Sequence, residues 1–303
     1  MMNYAPEFLF EPWAEAFGWI LLHSVWQGLL VFGVIVICLR FIPTQYAAVR
    51  YALGLIGLPV FLAGCTITWF IIYTPGDYLI TMQGISTLES VVTIPDGSTS
   101  TELRMGWVTD LKQSIQRMIP FAIQVWIIGA VFFSLRITAG WWYINRLSHE
   151  AVSVQGVWSE KIKLLAAEMG ITRIIGLAES QAIHIPVVIG YLKPVILIPV
   201  GMLSGLTTEQ VETILVHELT HIRRHDYLVN VVQSFIEAMF FFNPFVWMLS
   251  SVIRREREHC CDDAVLTHCG NALVYAQALS QLEEARFMGT TLAPSLAQNK
   301  NEL

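Results

Sequence analysis

The feature that most constrains this chain is a set of apolar runs, each long enough to cross a lipid bilayer. About 30 Å of hydrocarbon requires roughly 20 apolar residues, and residues 19–41, 51–73 and 119–143 meet that length. Because hydrocarbon offers no hydrogen-bonding partner, each run must satisfy its own backbone groups as a helix. The sequence therefore predicts a mainly α-helical integral membrane protein with three transmembrane helices.

The composition agrees with this prediction. Of the 303 residues, 54% are hydrophobic and only 14% are charged, whereas a soluble domain carries about a quarter charged residues. The net charge of -6 leaves no basic face for direct binding to nucleic acid. Residues 1–18 lack Lys and Arg, which argues against a cleavable signal peptide.

The distribution of basic residues predicts an orientation, because Lys and Arg favour the cytoplasmic side. None occurs in residues 1–18 and three occur in 76–118, against seven in 144–227. We therefore expect a multi-pass protein of the bacterial cytoplasmic (inner) membrane with its N-terminus outside. The predicted domains are an extracytoplasmic N-terminus, transmembrane helices one and two, an extracytoplasmic loop, transmembrane helix three and a cytoplasmic-facing domain: 1–18, 19–75, 76–118, 119–143 and 144–303.

The start of the cytoplasmic-facing domain has a mixed α+β pattern. Helical spacing over 158–169 ends at Gly170, and a later helix is capped by Thr207 or Thr208. Between them, three runs rich in β-branched residues predict strands at 171–177, 182–189 and 195–199. The hairpin formed by residues 183–199 is either a plain packed element or an edge strand to which an extended substrate peptide adds.

The later helix carries the sequence His217-Glu218-Leu219-Thr220-His221. Positions i and i+4 share a helical face, so both histidines can bind one Zn²⁺ while Glu218 reaches the zinc-bound water. Zinc lowers the pKa of that water to about 7, and the carboxylate acts as general base. A chance match on a surface helix is the alternative. The apolar residues 214–216 argue against it, because they bury the helix.

A catalytic zinc needs a third protein ligand. The downstream candidates are Glu237, Glu256, Glu258, His259, Cys260, Cys261, Asp262 and Asp263. Glu258 and Asp262 are also i and i+4, so one can bind the metal while the other braces a ligand histidine. Glu256 faces about 160° away from Glu258 on a regular helix, and we expect it to be a solvated charge. Cys260 and Cys261 fit best as small buried hydrophobic residues.

A metal shared by His221 and Glu258 constrains the fourth apolar run. A continuous helix over residues 228–252 would carry the chain about 37 Å away. Asn243-Pro244 lies near the middle of the run, and proline breaks a helix. The run is therefore predicted to form a helical hairpin, 228–242 and 244–257, that dips into the bilayer or packs on the spanning helices.

Several motifs together resemble one known family, the beta-lactam-sensing, methicillin-resistance type receptor (antirepressor) metallopeptidases of bacterial membranes. They are His217 to His221, Arg224-His225-Asp226, Asn243-Pro244-Phe245-Val246-Trp247 and Glu258-His259-Cys260-Cys261-Asp262. The resemblance implies an inward-facing, gluzincin-like zinc protease domain. It implies that His217, His221 and Glu258 bind the zinc, that Glu218 is the general base, and that Asp262 supports one of the ligands without binding the zinc itself. Asp226 either orients the site or caps its helix.

These inferences predict a zinc metalloendopeptidase with one Zn²⁺ per chain. It would cleave a cytoplasmic protein or peptide, such as a transcriptional repressor, and also itself. The alternatives are a zinc-binding signal transducer without proteolysis and a prenyl-protein-type membrane protease. Three spans argue against the latter. Beta-lactam receptors also carry Ser-x-x-Lys and Lys-Thr-Gly elements that do not occur in this sequence, so antibiotic sensing is not expected from it.

One polar pair lies inside the first span. His23 and Gln27 are four residues apart and so share a helical face. An ionisable residue in the membrane is a functional candidate. We favour the interpretation that the pair makes a polar contact that joins two helices.

Overall fold

The computed structural model describes residues 12–73 and 106–298. The predicted N-terminal segment up to residue 11, most of the predicted outer loop and the last five residues lie outside these ranges. The chain forms two compact units. The first comprises Met1–Phe41, Leu55–Phe132 and Phe240–Leu249, and the second comprises Ile42–Gly54, Phe133–Met239 and Ser250–Leu303.

Three long helices correspond to the predicted spans. They are α1 (Pro12–Phe41), α2 (Ala47–Tyr73) and α3 (Gly106–Glu150). Each contains a segment long and apolar enough to cross a membrane. α3 is longer at both ends than the predicted 119–143, because its polar flanks also have helical spacing. Residues 106–118, expected in a loop, are therefore helical, and the helix continues past residue 143.

Polar side chains join α1 and α2 within their apolar segments. Gln27 of α1 donates to the hydroxyl of Thr68 in α2 at 2.7 Å and to the carbonyl of Gly64 at 3.4 Å, so the expected contact between helices is confirmed for Gln27. For His23, the contacts that the described residues show lie within one helix: its Nδ1 accepts from the indole of Trp26 at 2.8 Å.

The fourth apolar run breaks where predicted. Helix α7 (Asp226–Met239) ends just before the Asn243-Pro244 pair, and α8 (Pro244–Cys269) begins at the proline. Asn243 is fully buried. Its amide donates to the carbonyl of Ser24 at 2.9 Å and accepts from the backbone N–H of Phe245 at 3.0 Å. This side chain therefore fixes the turn in place of the hydrogen bonds that the proline removes.

Helix α8 runs back along α7 and continues beyond the predicted end at residue 257. Gln233 donates to the carbonyl of Ser250 at 3.3 Å, and Arg254 forms an ion pair with Glu237 at 2.5 Å. Both contacts join residues 17 apart in the chain. α7 and the following part of α8 are therefore antiparallel neighbours, and the chain returns toward the motif helix.

A four-stranded sheet forms the base of the second unit. Its strands are β1 (Val152–Ser153), β2 (Gly176–Ser180), β3 (Val187–Ile189) and β4 (Val195–Pro199), in the order β1-β2-β4-β3. β2 is parallel to β4, and β3 is antiparallel to it. Within the described chain, β3 is thus an edge strand.

The strand predictions succeeded unevenly. Strand β4 has the predicted bounds, whereas β3 occupies only the end of 182–189 and β2 begins near the end of 171–177. Ile171 is not in a strand because its backbone N–H bonds to the carbonyl of Ala166 at 2.8 Å. That bond closes the C-terminus of helix α4 (Val157–Glu168). Local helix capping therefore overrides the β-branched composition.

The remaining α-helices are α5 (Met202–Gly205), α6 (Thr208–Arg223), which carries the His217–His221 motif, and α9 (Ala272–Gln298). Thr207 caps α6 through a reciprocal pair of bonds with Gln210, which fixes where that helix starts. Buried apolar residues from α4, α6, α8, α9 and the sheet form one core. This packing fixes the rotation of α6 and so determines which side chains reach the site.

Candidate functional site: a metal centre

Helix α6 presents both motif histidines on one face. Leu215 and Leu219 are fully buried in the core, and His217 and His221, two positions after each of them, point to the opposite side of the helix. The two imidazole side chains are 17% and 19% exposed, and their ring centroids are 5.0 Å apart. The helix thus holds two imidazoles side by side, as the i, i+4 spacing predicts.

Glu258 of α8 meets both histidines. Its Oε2 lies 3.5 Å from Nε2 of His217 and 3.6 Å from Nε2 of His221. A tetrahedral zinc with bonds of about 2.0–2.1 Å separates its ligand atoms by roughly 3.3–3.4 Å. Both separations from Glu258 Oε2 are therefore close to the distance between two ligand atoms of one zinc ion. The chemistry of this donor set, two imidazoles and a carboxylate, also fits a catalytic zinc.

A buried tyrosine orients the first histidine. The hydroxyl of Tyr275 in α9 lies 2.8 Å from Nδ1 of His217 and donates to Oδ1 of Asp262 at 2.7 Å. Because the hydroxyl proton goes to the carboxylate, its oxygen accepts from Nδ1–H. That arrangement turns Nε2 of His217 toward Glu258 and makes it the ring nitrogen that can bind a metal once its proton is lost. The sequence reasoning placed Asp262 here and missed Tyr275, which no local spacing connects to the motif.

A carboxylate orients the second histidine. Nδ1 of His221 lies 2.8 Å from Oδ2 of Asp226, a buried residue at the start of α7. The chain reaches this position through His225, which has a φ of 59°. This left-handed residue ends α6 and lets α7 start at once in a new direction. The structure therefore brings Asp226 to a ligand histidine, and Asp226 is also the first residue of α7.

Cys261 offers a second possible donor set. The ligand atoms of His217, His221 and Cys261 all lie within 4.8 Å of one another. The thiol of Cys261 lies 3.4 Å from Nδ1 of His221, the ring nitrogen that Asp226 also contacts. Burial raises the pKa of this thiol and so disfavours the thiolate that binds metal. Glu258, which meets both Nε2 atoms as an anion, is the better third donor.

The pKa values of the two histidines and of Glu258 show that the site favours protonated, positively charged imidazoles beside an anionic carboxylate. Burial lowers the pKa of His217, but bonds to Asp262 and Glu258 outweigh this effect and raise it to about 9. Burial also lowers the pKa of His221, which bonds to Asp226, Cys261 and Glu258 raise to about 12. Burial raises the pKa of Glu258, and the two histidines bring it well below its ordinary value. A divalent cation would replace the protons that hold these groups together.

Glu218 stands beside the candidate ligands. It is 9% exposed and lines the same cleft as His217 and His221. Burial raises the pKa of its carboxyl above the ordinary value of 4.5, and the two histidines oppose that rise. A raised pKa brings a carboxyl group closer to the range in which it can accept and return a proton near neutral pH.

The prediction for Glu256 is wrong in one respect. It does point away from the histidines, but it is 1% exposed and is not solvated. Its two carboxylate oxygens accept from Nε and Nη2 of Arg50, each at 2.8 Å. Helical periodicity predicted the direction of the side chain, but it could not show that Arg50, near the start of α2, lies there.

The other candidate ligands lie elsewhere. Glu237 is paired with Arg254, and His259 is exposed. Cys260 and Asp263 line a separate depression with Arg223. Cys260 and Cys261 are both buried, as predicted. Of the eight downstream candidates, only Glu258, Cys261 and Asp262 make a contact with a motif histidine that the structure describes.

The candidate metal centre lies in a cleft of about 580 Å³ that also reaches the sheet. The edge strand β3 contributes Val187 and Val188 to its lining. Strand β4 occupies one side of β3, so within the described chain its other side is open for pairing. A polypeptide in extended conformation could therefore lie along β3, in the same cleft as Glu218.

Comparison with known proteins agrees with this geometry. The sequence profile described as BlaR1 peptidase M56 matches residues 20–303, which is most of the chain. The chain belongs to the BlaR1 peptidase M56 family. It is therefore a member of a family of membrane metallopeptidases, and the family implies a bound metal. The three membrane-length helices are consistent with this assignment.

Individual relatives in the BlaR1 family are distant. The chain is 26% identical over 247 residues to "Regulatory protein BlaR1" of Bacillus licheniformis, covering 78% of this chain and 41% of that protein. It is 23% identical over 143 residues to the "Methicillin resistance mecR1 protein" of Staphylococcus aureus, covering 47% and 24%. The chain thus spans less than half the length of these curated relatives.

Proposed function

We propose that this chain is a membrane-embedded zinc endopeptidase that cleaves a cytoplasmic protein. The observation that carries the proposal is the approach of Glu258 Oε2 to Nε2 of His217 and of His221, at 3.5 and 3.6 Å. These three residues would hold the metal. When bound, zinc supplies Lewis acidity, which activates a water molecule and polarises the scissile carbonyl.

The residues of the chain have separate roles in this proposal. Glu218 accepts the proton of the attacking water and returns it to the departing amine. Asp226, and Tyr275 together with Asp262, hold the two imidazoles in the tautomer that leaves Nε2 free for the metal. The open side of β3 binds the substrate backbone by strand addition. The cleft therefore favours a substrate segment in extended conformation.

The location and substrate class rest on other evidence. The excess of Lys and Arg after residue 144 supports a site on the cytoplasmic side. The word "regulatory" in the name of the Bacillus licheniformis relative favours a protein that controls expression over nutrient peptides. We therefore propose a transcriptional repressor as the first substrate to test and the chain itself as the second.

Comparison of cells that carry the wild type or Glu218→Ala tests this function. New protein termini should appear only with the wild type, and both proteins should contain about one zinc per chain. Cleavage that persists in Glu218→Ala would contradict the proposal. Self-cleavage is excluded if the purified wild type stays a single band, as Glu218→Ala should. Signalling that survives loss of Glu218 would support a transducer without proteolysis.

A further inference from the structure

Two arginines stand among the described residues that line the cleft, and they differ in their partners. Arg257 lies 3.4 Å from Oε1 of Glu258 through its Nε, so its charge is balanced by a carboxylate of the metal centre. Arg173, in the segment before β2, donates from Nη1 to the backbone carbonyl of Tyr191 at 3.1 Å. Its guanidinium carbon also lies 4.6 Å above the centre of the Tyr191 ring.

The third contact of Arg173 is with an imidazole. Its Nη2 lies 3.4 Å from Nε2 of His225. Nδ1 of His225 lies 3.1 Å from the carbonyl oxygen of Ile222, and only a protonated Nδ1 can donate to that oxygen. Nε2 then accepts from the guanidinium. In the described structure Arg173 is thus held by a carbonyl, an aromatic ring and an imidazole, and by no carboxylate.

The position of this arginine places it near a bound substrate. Tyr191 immediately follows Gly190, in the turn after β3, and both residues line the cleft. A peptide that pairs with β3 would therefore pass Tyr191 and the guanidinium on it. Arginine binds carboxylates strongly because its planar fork can donate two parallel hydrogen bonds. The aromatic platform fixes the orientation of that fork before the substrate arrives.

We propose that Arg173, held on Tyr191, is a specificity-determining residue that binds an Asp or Glu side chain of the substrate. This inference rests on the proposed function and adds the charge of the residue that the cleft selects. The competing explanation is that Arg173 only stabilises the β3–β4 turn. In that case its loss would slow cleavage of acidic and neutral peptides equally.

The test begins with a mixture of synthetic peptides of varied sequence, cut by the purified full-length chain in detergent. Mass spectrometry of the products should show Asp or Glu enriched at one position relative to the cut. A matched pair of peptides, with Asp or Asn at that position, then gives a ratio of kcat/KM. We expect the wild type to favour Asp by roughly tenfold or more, since a charge-assisted bond is lost with Asn.

Three variants assign the preference. Arg173→Gln should bring the ratio close to one, and Arg173→Glu should favour a third peptide with Lys at that position. Arg223→Gln is the matched control, because it removes an exposed arginine outside the cleft and should keep the wild-type ratio. Binding of the same peptides to Glu218→Ala and to Glu218→Ala with Arg173→Gln, by fluorescence anisotropy, repeats the comparison without catalysis.

The outcomes separate this inference from the proposed function. If the wild type cuts peptides but shows no acidic enrichment, or if Arg173→Gln keeps the ratio, the acidic subsite is refuted and the endopeptidase stands. If the wild type cuts no more than Glu218→Ala, the endopeptidase is refuted and the subsite with it. Zinc content equal to that of the wild type shows that the Arg173 variants have folded.

Discussion

Breaking the buried ion pair between Arg50 and Glu256 on one side should destabilise the protein strongly. The Arg50 and Glu256 side chains are 12% and 1% exposed, and two bonds of 2.8 Å join them. Arg50 also donates from Nη1 to the carbonyl of Ile42 at 2.7 Å. The pair thus joins the start of α2 to α8, two residues before Glu258, and Arg50 also holds the segment between α1 and α2.

The variant Glu256→Gln keeps the side-chain volume but removes the charge and one acceptor. Breaking a buried pair on one side costs about 3–5 kcal/mol, and we expect the free energy of unfolding to fall by that amount. Replacing both residues, as Arg50→Met with Glu256→Met, should restore most of the loss, because no uncompensated charge remains. SDS titration in mixed micelles, followed by tryptophan fluorescence, measures both variants against the wild type.

The exposed i, i+4 pair of Arg146 and Glu150 provides the control, since its side chains are 61% and 54% exposed. Glu150→Gln should leave the unfolding midpoint unchanged. If Glu256→Gln behaves like Glu150→Gln, or if the double Met variant is as unstable as Glu256→Gln, the reasoning is refuted. Loss of zinc in Glu256→Gln at unchanged stability would also contradict a mainly structural role.

The sign of the pH dependence follows from the same pair. Hydrogen bonding to Arg50 holds the pKa of Glu256 below its ordinary value of 4.5, although burial opposes this effect. The unfolded state therefore binds the proton more readily than the folded state. The contribution of the pair should be complete above about pH 4.5 and decline as the pH falls through the lower, folded-state pKa. In Glu256→Gln this part of the pH dependence should be absent.

Three further substitutions test other contacts. Tyr275→Phe removes the hydroxyl that bonds to Asp262 and to a ligand histidine. It should weaken zinc binding roughly 10- to 100-fold, measured by competition with a chelator. Unchanged affinity would show that the hydroxyl does not orient the ligand. Asn243→Ala leaves buried backbone groups without partners and should destabilise the protein by about 1–3 kcal/mol in the SDS titration, so a loss below the error of that titration would refute the role given to its amide. Gly190→Ala should cost about 1–2 kcal/mol, because Gly190 has a φ of 83° and an added Cβ would lie 3.0 Å from the carbonyl oxygen of Lys193. A wild-type unfolding midpoint in that variant would show that the turn tolerates the side chain.

Much of the architecture followed from patterns that are local in sequence. Apolar length predicted the three long helices, and the i, i+4 spacing of His217 and His221 predicted a shared face. The requirement that His221 and Glu258 meet, together with Pro244, predicted the return of the fourth run. Each inference used a constraint that acts within one helix or across one turn.

The parts that sequence reasoning missed depend on contacts between distant segments. Tyr275 lies 58 residues from His217 and joins it only through the packing of α9 on α6. Glu256 is buried because Arg50, 206 residues earlier, meets it. Neither relation leaves a periodic signal. The alternation of β-branched residues also failed at Ile171, where a helix C-terminus takes the backbone N–H.

Cleavage per bound zinc, measured for the purified wild type and Glu218→Ala on the same peptide mixture, tests the central claim most directly. Both proteins should hold about one zinc per chain, since Glu218 is not a proposed ligand. The cleavage rate of Glu218→Ala should be lower by roughly 10²- to 10⁴-fold, the usual contribution of a general base. Equal rates per zinc in the two proteins, or a wild type that cleaves without bound metal, would contradict the account.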